Sequence, residues 1–425
     1  MKALAISCPF FGLVLFASLA HTAQPEPSSL PSIIESQTGA KDPGKAPNKE
    51  IEKKAPEKKV AEPAPTDLFA PTAAPGSGMQ TYFNPNMMGD WFTIIARQNL
   101  AITGIQTTTT TTRRGNNNGV PPGPVVTTTT TTPVTLTRTV LVPVPSRGAF
   151  KIAENASPLP QDRVFFTYNN FNNLGFPETG PNAPLATTSS SQTRLGNQAT
   201  TTTVTTVTPG VPRVNLDREV FGFEKTFLGG YASVELRAPL LQQGSGGAGF
   251  GYQGFGDLTI IGKYALYLDR STGNVFSTGL GITAPTGQSI PTTDGSIRDV
   301  LLQPFVGYIW NFDRFFVQGF HSLVVPTDTR DVTMAFNDVG INFWLYRNPD
   351  RFLTFVVPTL EAHLTTPLNH RDLNGPIVIP DTLVVTTGIH LGLGRNSSLT
   401  FGVAAPVTGP RPYAVESFLQ FNWRF

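Results

Sequence analysis

The chain has 425 residues, of which 39% are hydrophobic and 14% charged, with 40 Gly, 38 Pro, 30 Phe and a formal net charge of +2. Low charge with high glycine argues against an ordinary helical enzyme, and the near-neutral balance gives no case for nucleic acid or a strongly acidic partner. The single cysteine, Cys8, lies in the N-terminal apolar stretch, which excludes disulfides and thiol catalysis from the mature protein.

Residues 1–23 read as a secretory signal. Lys2 supplies the positive charge, residues 3–19 the apolar run, and Ser18-Leu19-Ala20 or His21-Thr22-Ala23 the small residues for cleavage. A retained anchor is the alternative, but the flank turns Pro-rich at once. No later stretch is apolar over the roughly 20 residues that a membrane helix needs. Residues 24–78 are dominated by Pro, Ala, Lys and Glu and are expected to be a disordered periplasmic tether, because they offer too little apolar surface to offset ordering. Their lysines suit either contact with anionic cell-wall polymer or a solvated spacer.

Residues 79–161 carry short apolar pieces at 91–96 and 134–144 and two threonine tracts, 107–112 and 127–132. Threonine favours extended structure but provides no core. The segment is therefore a Thr-rich flexible extension or a plug in a barrel mouth. The tracts favour the extension, and 134–161 stays open.

From residue 162 the pattern becomes regular. Candidate strands span 163–171, 218–227, 231–238, 257–267, 275–284, 300–312, 314–325, 334–346, 351–364, 383–393, 398–405 and 414–425, about twelve in all, each near the roughly 9–11 residues of a tilted membrane strand. Short turns (228–230, 269–274, 311–314, 347–350, 394–397) alternate with long connections (172–212, 239–256, 285–299, 326–333, 365–382, 406–413), as in outer-membrane barrels with short periplasmic turns and long external loops. The expected fold is all-β: a transmembrane antiparallel up-and-down β-barrel, over 162–425, in the outer membrane with both termini periplasmic. Alternation also assigns faces. Ala335, Val339, Ile341 and Phe343 oppose Asp338, Gly340 and Asn342, and Leu383, Val385, Ile389 and Leu391 oppose Thr386, Gly388 and His390. The strand at 314–325 is ambiguous, since both of its faces are apolar.

The last stretch reads YAVESFLQFNWRF, with Leu419, Phe421, Trp423 and Phe425 on one face and Glu416, Gln420, Asn422 and Arg424 on the other. It resembles the C-terminal insertion signal of bacterial outer-membrane barrels, which implies that Leu419, Phe421, Trp423 and Phe425 meet lipid and the barrel-assembly machinery. Candidate pore-lining residues are Glu224, Glu235, Arg237, Lys263, Asp338, Asn342, Glu361, His363, His390, Glu416, Gln420 and Arg424. Both signs of charge occur, so selectivity is not readable; cross-strand pairing that steadies the wall is as good a reading.

Catalytic and metal constellations are thin. No two histidines form a close ligand pair. Glu361 and His363 share one face and could suggest a hydrolase dyad, but a pair of pore-lining polar residues is the simpler reading. Gly244–Gly256 has GxGxxG-like spacing in a loop before a strand, which is no nucleotide site. No cofactor, metal or catalytic residue is expected.

Gly256-Asp257 opening one strand, followed by a Gly-rich strand ending in Pro285-Thr286-Gly287, resembles the outer-membrane transporters grouped with the meta-pathway of phenol degradation. The resemblance covers the barrel and implies a porin-like channel for small solutes, apolar or aromatic compounds among them. The competing readings are a surface-display or adhesion barrel acting through the long loops, and a barrel hydrolase.

Overall fold

The computed structural model describes residues 84–91, 93–115, 121–145, 151–176, 179–244, 250–372 and 374–425. The signal peptide and the tether expected at 1–23 and 24–78 lie outside the described residues. Among the described residues twenty-one strands follow in order: β1 (Ile94–Arg114), β2 (Val126–Val144), β3 (Arg163–Leu174), β4 (Leu185–Leu195), β5 (Gln198–Thr208), β6 (Val214–Phe227), β7 (Ala232–Gln243), β8 (Tyr252–Phe255), β9 (Leu258–Asp269), β10 (Asn274–Ala284) and β11 (Ile290–Thr292). There follow β12 (Gly295–Ile297), β13 (Leu301–Phe312), β14 (Phe315–Pro326), β15 (Met334–Phe343), β16 (Tyr346–Arg347), β17 (Leu353–Pro367), β18 (Ile377–Val378), β19 (Thr382–Leu393), β20 (Ser397–Pro406) and β21 (Val415–Arg424).

Twelve of these close a transmembrane antiparallel barrel. Pairing runs β3-β6-β7-β9-β10-β13-β14-β15-β17-β19-β20-β21 and returns to β3. The seam sets Val415 opposite Asn172 and Arg424 opposite Arg163, so no barrel edge is left free. All twelve coincide with the segments picked out by alternation. The cause is the pleat: successive side chains alternate between the two faces. On β7, Val234 and Leu236 are exposed while Glu235 and Arg237 are buried; on β15, Val339 and Ile341 are exposed while Asp338 and Asn342 are buried. An apolar outside around a charged inside is the reverse of a water-soluble barrel and suits lipid.

The two motifs that carried the family resemblance meet in space. At the long-loop end, the Thr286 hydroxyl donates to the Gly256 carbonyl (3.1 Å) and accepts from the Leu258 amide (2.9 Å), while the Gly287 amide donates to Asp257 Oδ1 (2.8 Å). Gly-Asp and Pro-Thr-Gly thus form one clasp between the adjoining ends of β9 and β10. In β10 itself, a Cβ on Gly279 would fall 2.3 Å from the Phe305 ring, so this glycine makes room for an inward aromatic.

The threonine tracts are not a flexible extension. They form a second antiparallel sheet, in the order β2-β1-β5-β4, with the two-residue β18 also pairing with the base of β1. Thr107 to Thr112 pair on one side with residues 126–131 and on the other with residues 200–205, which belong to the long connection between β3 and β6. Hydroxyls meet across every junction: Thr109 and Thr129 at 3.4 Å, Thr112 and Thr200 at 3.3 Å, Thr188 and Thr205 at 3.2 Å. β-branching favours the strands, and Thr–Thr pairs supply the cross-strand contact that a core would otherwise give.

Candidate functional site

What fills the barrel is its own N-terminal segment. Residues 84–91 run through the lumen from the short-turn end to the long-loop end, and residues 151–161 run back. Near the short-turn end, Asn84 donates to Asn311 Oδ1 (2.7 Å) and Asn86 to Asn422 Oδ1 (3.2 Å). Midway, the amides of Met88 and Gly89 donate to the two carboxylate oxygens of Glu361, each at 2.8 Å. The Gln420 side chain donates to the Met88 carbonyl (2.7 Å). Toward the long-loop end, Trp91 packs on Phe171 at 4.8 Å, and its amide donates to Glu416 (3.4 Å). The chain then emerges into β1, whose Ile94 and Ala96 pack with Ile290, Leu301, Phe336 and Ile377 in the mouth.

The returning pass lies against the first. The Met87 amide donates to the Ala156 carbonyl (2.8 Å), and Lys151 reaches both oxygens of Asp90 at 2.8 and 2.7 Å. Gly89 sits at φ 74°, where a Cβ would lie 2.5 Å from the Glu154 Cα, so the two passes approach as closely as glycine allows. The outer side of this pass is held to the wall by one ion pair and by hydrogen bonds from charged side chains. Arg218 pairs with Glu154, Lys263 donates to the Ser157 carbonyl (2.6 Å), and Arg424 donates to Gln161 (3.1 Å).

The wall beneath is itself an ion-paired array. Arg163 bridges Glu224 (2.8 Å) and Glu235 (3.1 Å), Lys263 also pairs with Glu224 (3.0 Å), and Arg237 with Glu235. All are buried. Charges removed from water persist only when paired and hydrogen-bonded.

Every candidate pore-lining residue, from Glu224, Glu235, Arg237 and Lys263 through Asp338, Asn342, Glu361, His363 and His390 to Glu416, Gln420 and Arg424, is on the inner face and buried. Several of them grip the inserted segment, Glu361, Glu416, Gln420, Lys263 and Arg424 directly; an unobstructed lumen is not what they surround. The four aromatic and aliphatic residues of the last strand point outward, with Phe425 stacked on Phe223 at 6.1 Å and near Trp423 at 5.7 Å. Sequence reasoning did not find Arg163, Arg218, Asp90, Lys151 and Glu154. The last three lie in irregular chain, where period-2 reading has nothing to follow.

Asp90, Asp338 and His363 come close enough to suggest metal ligands. A cation is already present, however. Lys151 occupies Asp90, and the His363 ring sets Nδ1 2.9 Å from Asp338, while Nε2, 3.2 Å from Glu361, lies outside hydrogen-bond geometry. The cluster ties the insert to the wall. Glu361 is itself taken up by the Met88 and Gly89 amides.

The insert also explains β14. Its inward Phe320 packs with Met87, Ile152, Ala153 and Ala156, and its inward Phe316 with Val275, Ile309 and Val357. Both faces are apolar because one meets the outside and the other meets the insert.

No family model matches the chain, and no curated protein matches it. Among solved structures it is similar to an outer membrane channel from Pseudomonas putida F1. That likeness covers 63% of this chain and 97% of that chain at 11% identity, with a TM-score of 0.41.

Proposed function

We propose that the protein is an outer-membrane channel for small solutes, closed at rest by residues 84–91 and 151–161, with the short turns and both chain ends on the periplasmic side. The apolar belt faces lipid, and the C-terminal aromatic strand engages the assembly machinery. The observation that carries the reading is the chemistry of the contact between insert and wall. Beside its apolar contacts it carries carboxylates, guanidinium and ammonium groups and amides, which regain hydration when they part. Such a contact suits a closure that can loosen.

One arc of the wall supports this further. The Gln318 amide, Asn342 Nδ2, Asp338 Oδ2, His390 Nε2 and Gln420 Oε1, on β14, β15, β19 and β21, are buried without a hydrogen-bond partner. Buried polar groups are satisfied by protein or by water, so this arc is where a hydrated path would run. The opposite arc, β3, β6, β7 and β9, is locked by ion pairs.

Conductance in planar bilayers tests the proposal. The intact protein should open rarely, and a variant lacking residues 84–161 should conduct steadily. Silence from that variant at every voltage, in protein that still migrates as a folded barrel without boiling, would refute it.

A further inference from the structure

The threonine sheet ends on one side in a bare edge. β4 pairs with β5 and, among the described residues, with no other strand, and every one of its residues is exposed. Native sheets blunt such edges with proline, bulges, lysine or a cover. β4 has none of these: its eleven residues, LATTSSSQTRL, contain no proline and no lysine, and their register with β5 is unbroken. The opposite edge is treated differently. β2 carries Pro133, and at its base Arg138 and Leu141 bond to residues 181–183 of the β3–β6 connection.

The geometry points to a second copy of this chain as the partner of β4, joined by antiparallel strand addition about a two-fold axis at Ser190. That register aligns all eleven residues. It sets Leu185 opposite Leu195, Thr187 opposite Thr193 and Ser189 opposite Ser191. Leu185 is 44% and Leu195 81% exposed in the single chain, and the pairing covers each with the other. Thr- and Ser-lined junctions already hold β1 to β2, β1 to β5 and β5 to β4, so the new contact continues an existing kind. The edge carries almost no charge to oppose it; Arg194 is its single charged residue.

The pairing also fixes where the two barrels lie. β1 leaves the barrel mouth at Ile94 and runs unbroken to Arg114; the β4–β5 hairpin starts at the same end and turns at its far tip, beside Gly115. Antiparallel addition places the tip of one β4 beside the base of the other, so the barrels stand at opposite ends of one continuous sheet. That is the arrangement of two facing membranes, and the contact is a homotypic adhesion between cells. The inference rests on the outer-membrane reading with the sheet outside, but not on transport.

The test uses cells expressing the full chain. Ser190→Cys should be labelled on intact cells by a membrane-impermeant maleimide, and absence of labelling would overturn the external placement. In a separate, unlabelled sample, an added oxidant should join the two free thiols in a disulfide dimer, and only in cell suspensions that aggregate. S189K/S191K, which opposes lysines across the axis, should abolish aggregation, and so should S189E/S191E. Mixing the two populations should restore mixed aggregates, a result that misfolding cannot give. Aggregation of either variant alone at the native level, or failure of the mixture, would overturn the proposal, as would aggregation without cross-linking.

Discussion

Glu361 offers the sharpest perturbation of the closed lumen. Its two oxygens accept the amides of Met88 and Gly89, each at 2.8 Å, in the buried centre of the barrel. Glu361→Leu keeps most of the volume and removes both acceptors. A buried donor left without a partner costs about 1–3 kcal/mol, so two of them raise the closed state by about 3 kcal/mol after partial relaxation. Loosening the insert releases those amides to water, so most of that cost disappears on opening. With a factor of ten for every 1.4 kcal/mol or so, the ratio of open to closed channels should rise about a hundredfold. Glu361→Gln, which retains one acceptor, should fall between the native protein and the leucine variant. Single-channel recording in planar bilayers reads the open fraction directly. A leucine variant that opens no more often than the native protein, while migrating as a folded barrel without boiling, would show that these hydrogen bonds do not hold the closure.

Other contacts make separate predictions. Gly89→Ala places a Cβ 2.5 Å from the Glu154 Cα at a positive φ, so it should push the two passes apart and make the inserted segment more accessible to protease, with the barrel intact. Asp162, just before β3, is partly buried, which raises its pKa, but bonds from the Thr226 amide and hydroxyl and from Lys225 outweigh this and leave the carboxyl below its usual range. A depressed pKa gives stability that is present above the unfolded value, about 3.9, and lost as pH falls through the folded one. Asp162→Asn should therefore lower the urea midpoint in detergent at neutral pH and make no difference in strong acid. Removing Phe425 takes away the ring stacked on Phe223 and should reduce the amount of assembled barrel before it changes conductance per channel; normal assembly would count against an insertion signal.

The barrel was legible because its strands obey a single rule. Lipid on one side and polar contacts on the other give most strands a two-residue period, and that period with the alternation of short and long connections located the twelve. The threonine sheet was not legible for the complementary reason. A run of identical residues has no period, and what makes Thr107 to Thr112 a strand is a pair of neighbours found at 126–131 and 200–205, one of them some 90 residues away in sequence. The lumenal passes were hidden differently. They are irregular, and their burial depends on residues such as Glu361 and Gln420, roughly 270 and 330 positions further on. The strand at 315–326 held the one clue: apolar residues on a face that a water-filled lumen would have left polar.

The insert passes through the ring of strands as a doubled thread, with β1 and β2 as its head beyond the mouth. That head is paired to β5, which grows from the barrel wall itself. The arrangement is a mechanical interlock: drawing the thread back through the short-turn end would require the head to unravel from β5 first. On the proposed channel reading, opening must therefore act in place, by slackening the thread between its two ends. The order of biogenesis is constrained as well. The seam between β21 and β3 is the last wall to form if the strands pair in the order in which they emerge. It must close around a thread already laid between them, so the final strand seals the content of the barrel together with its wall.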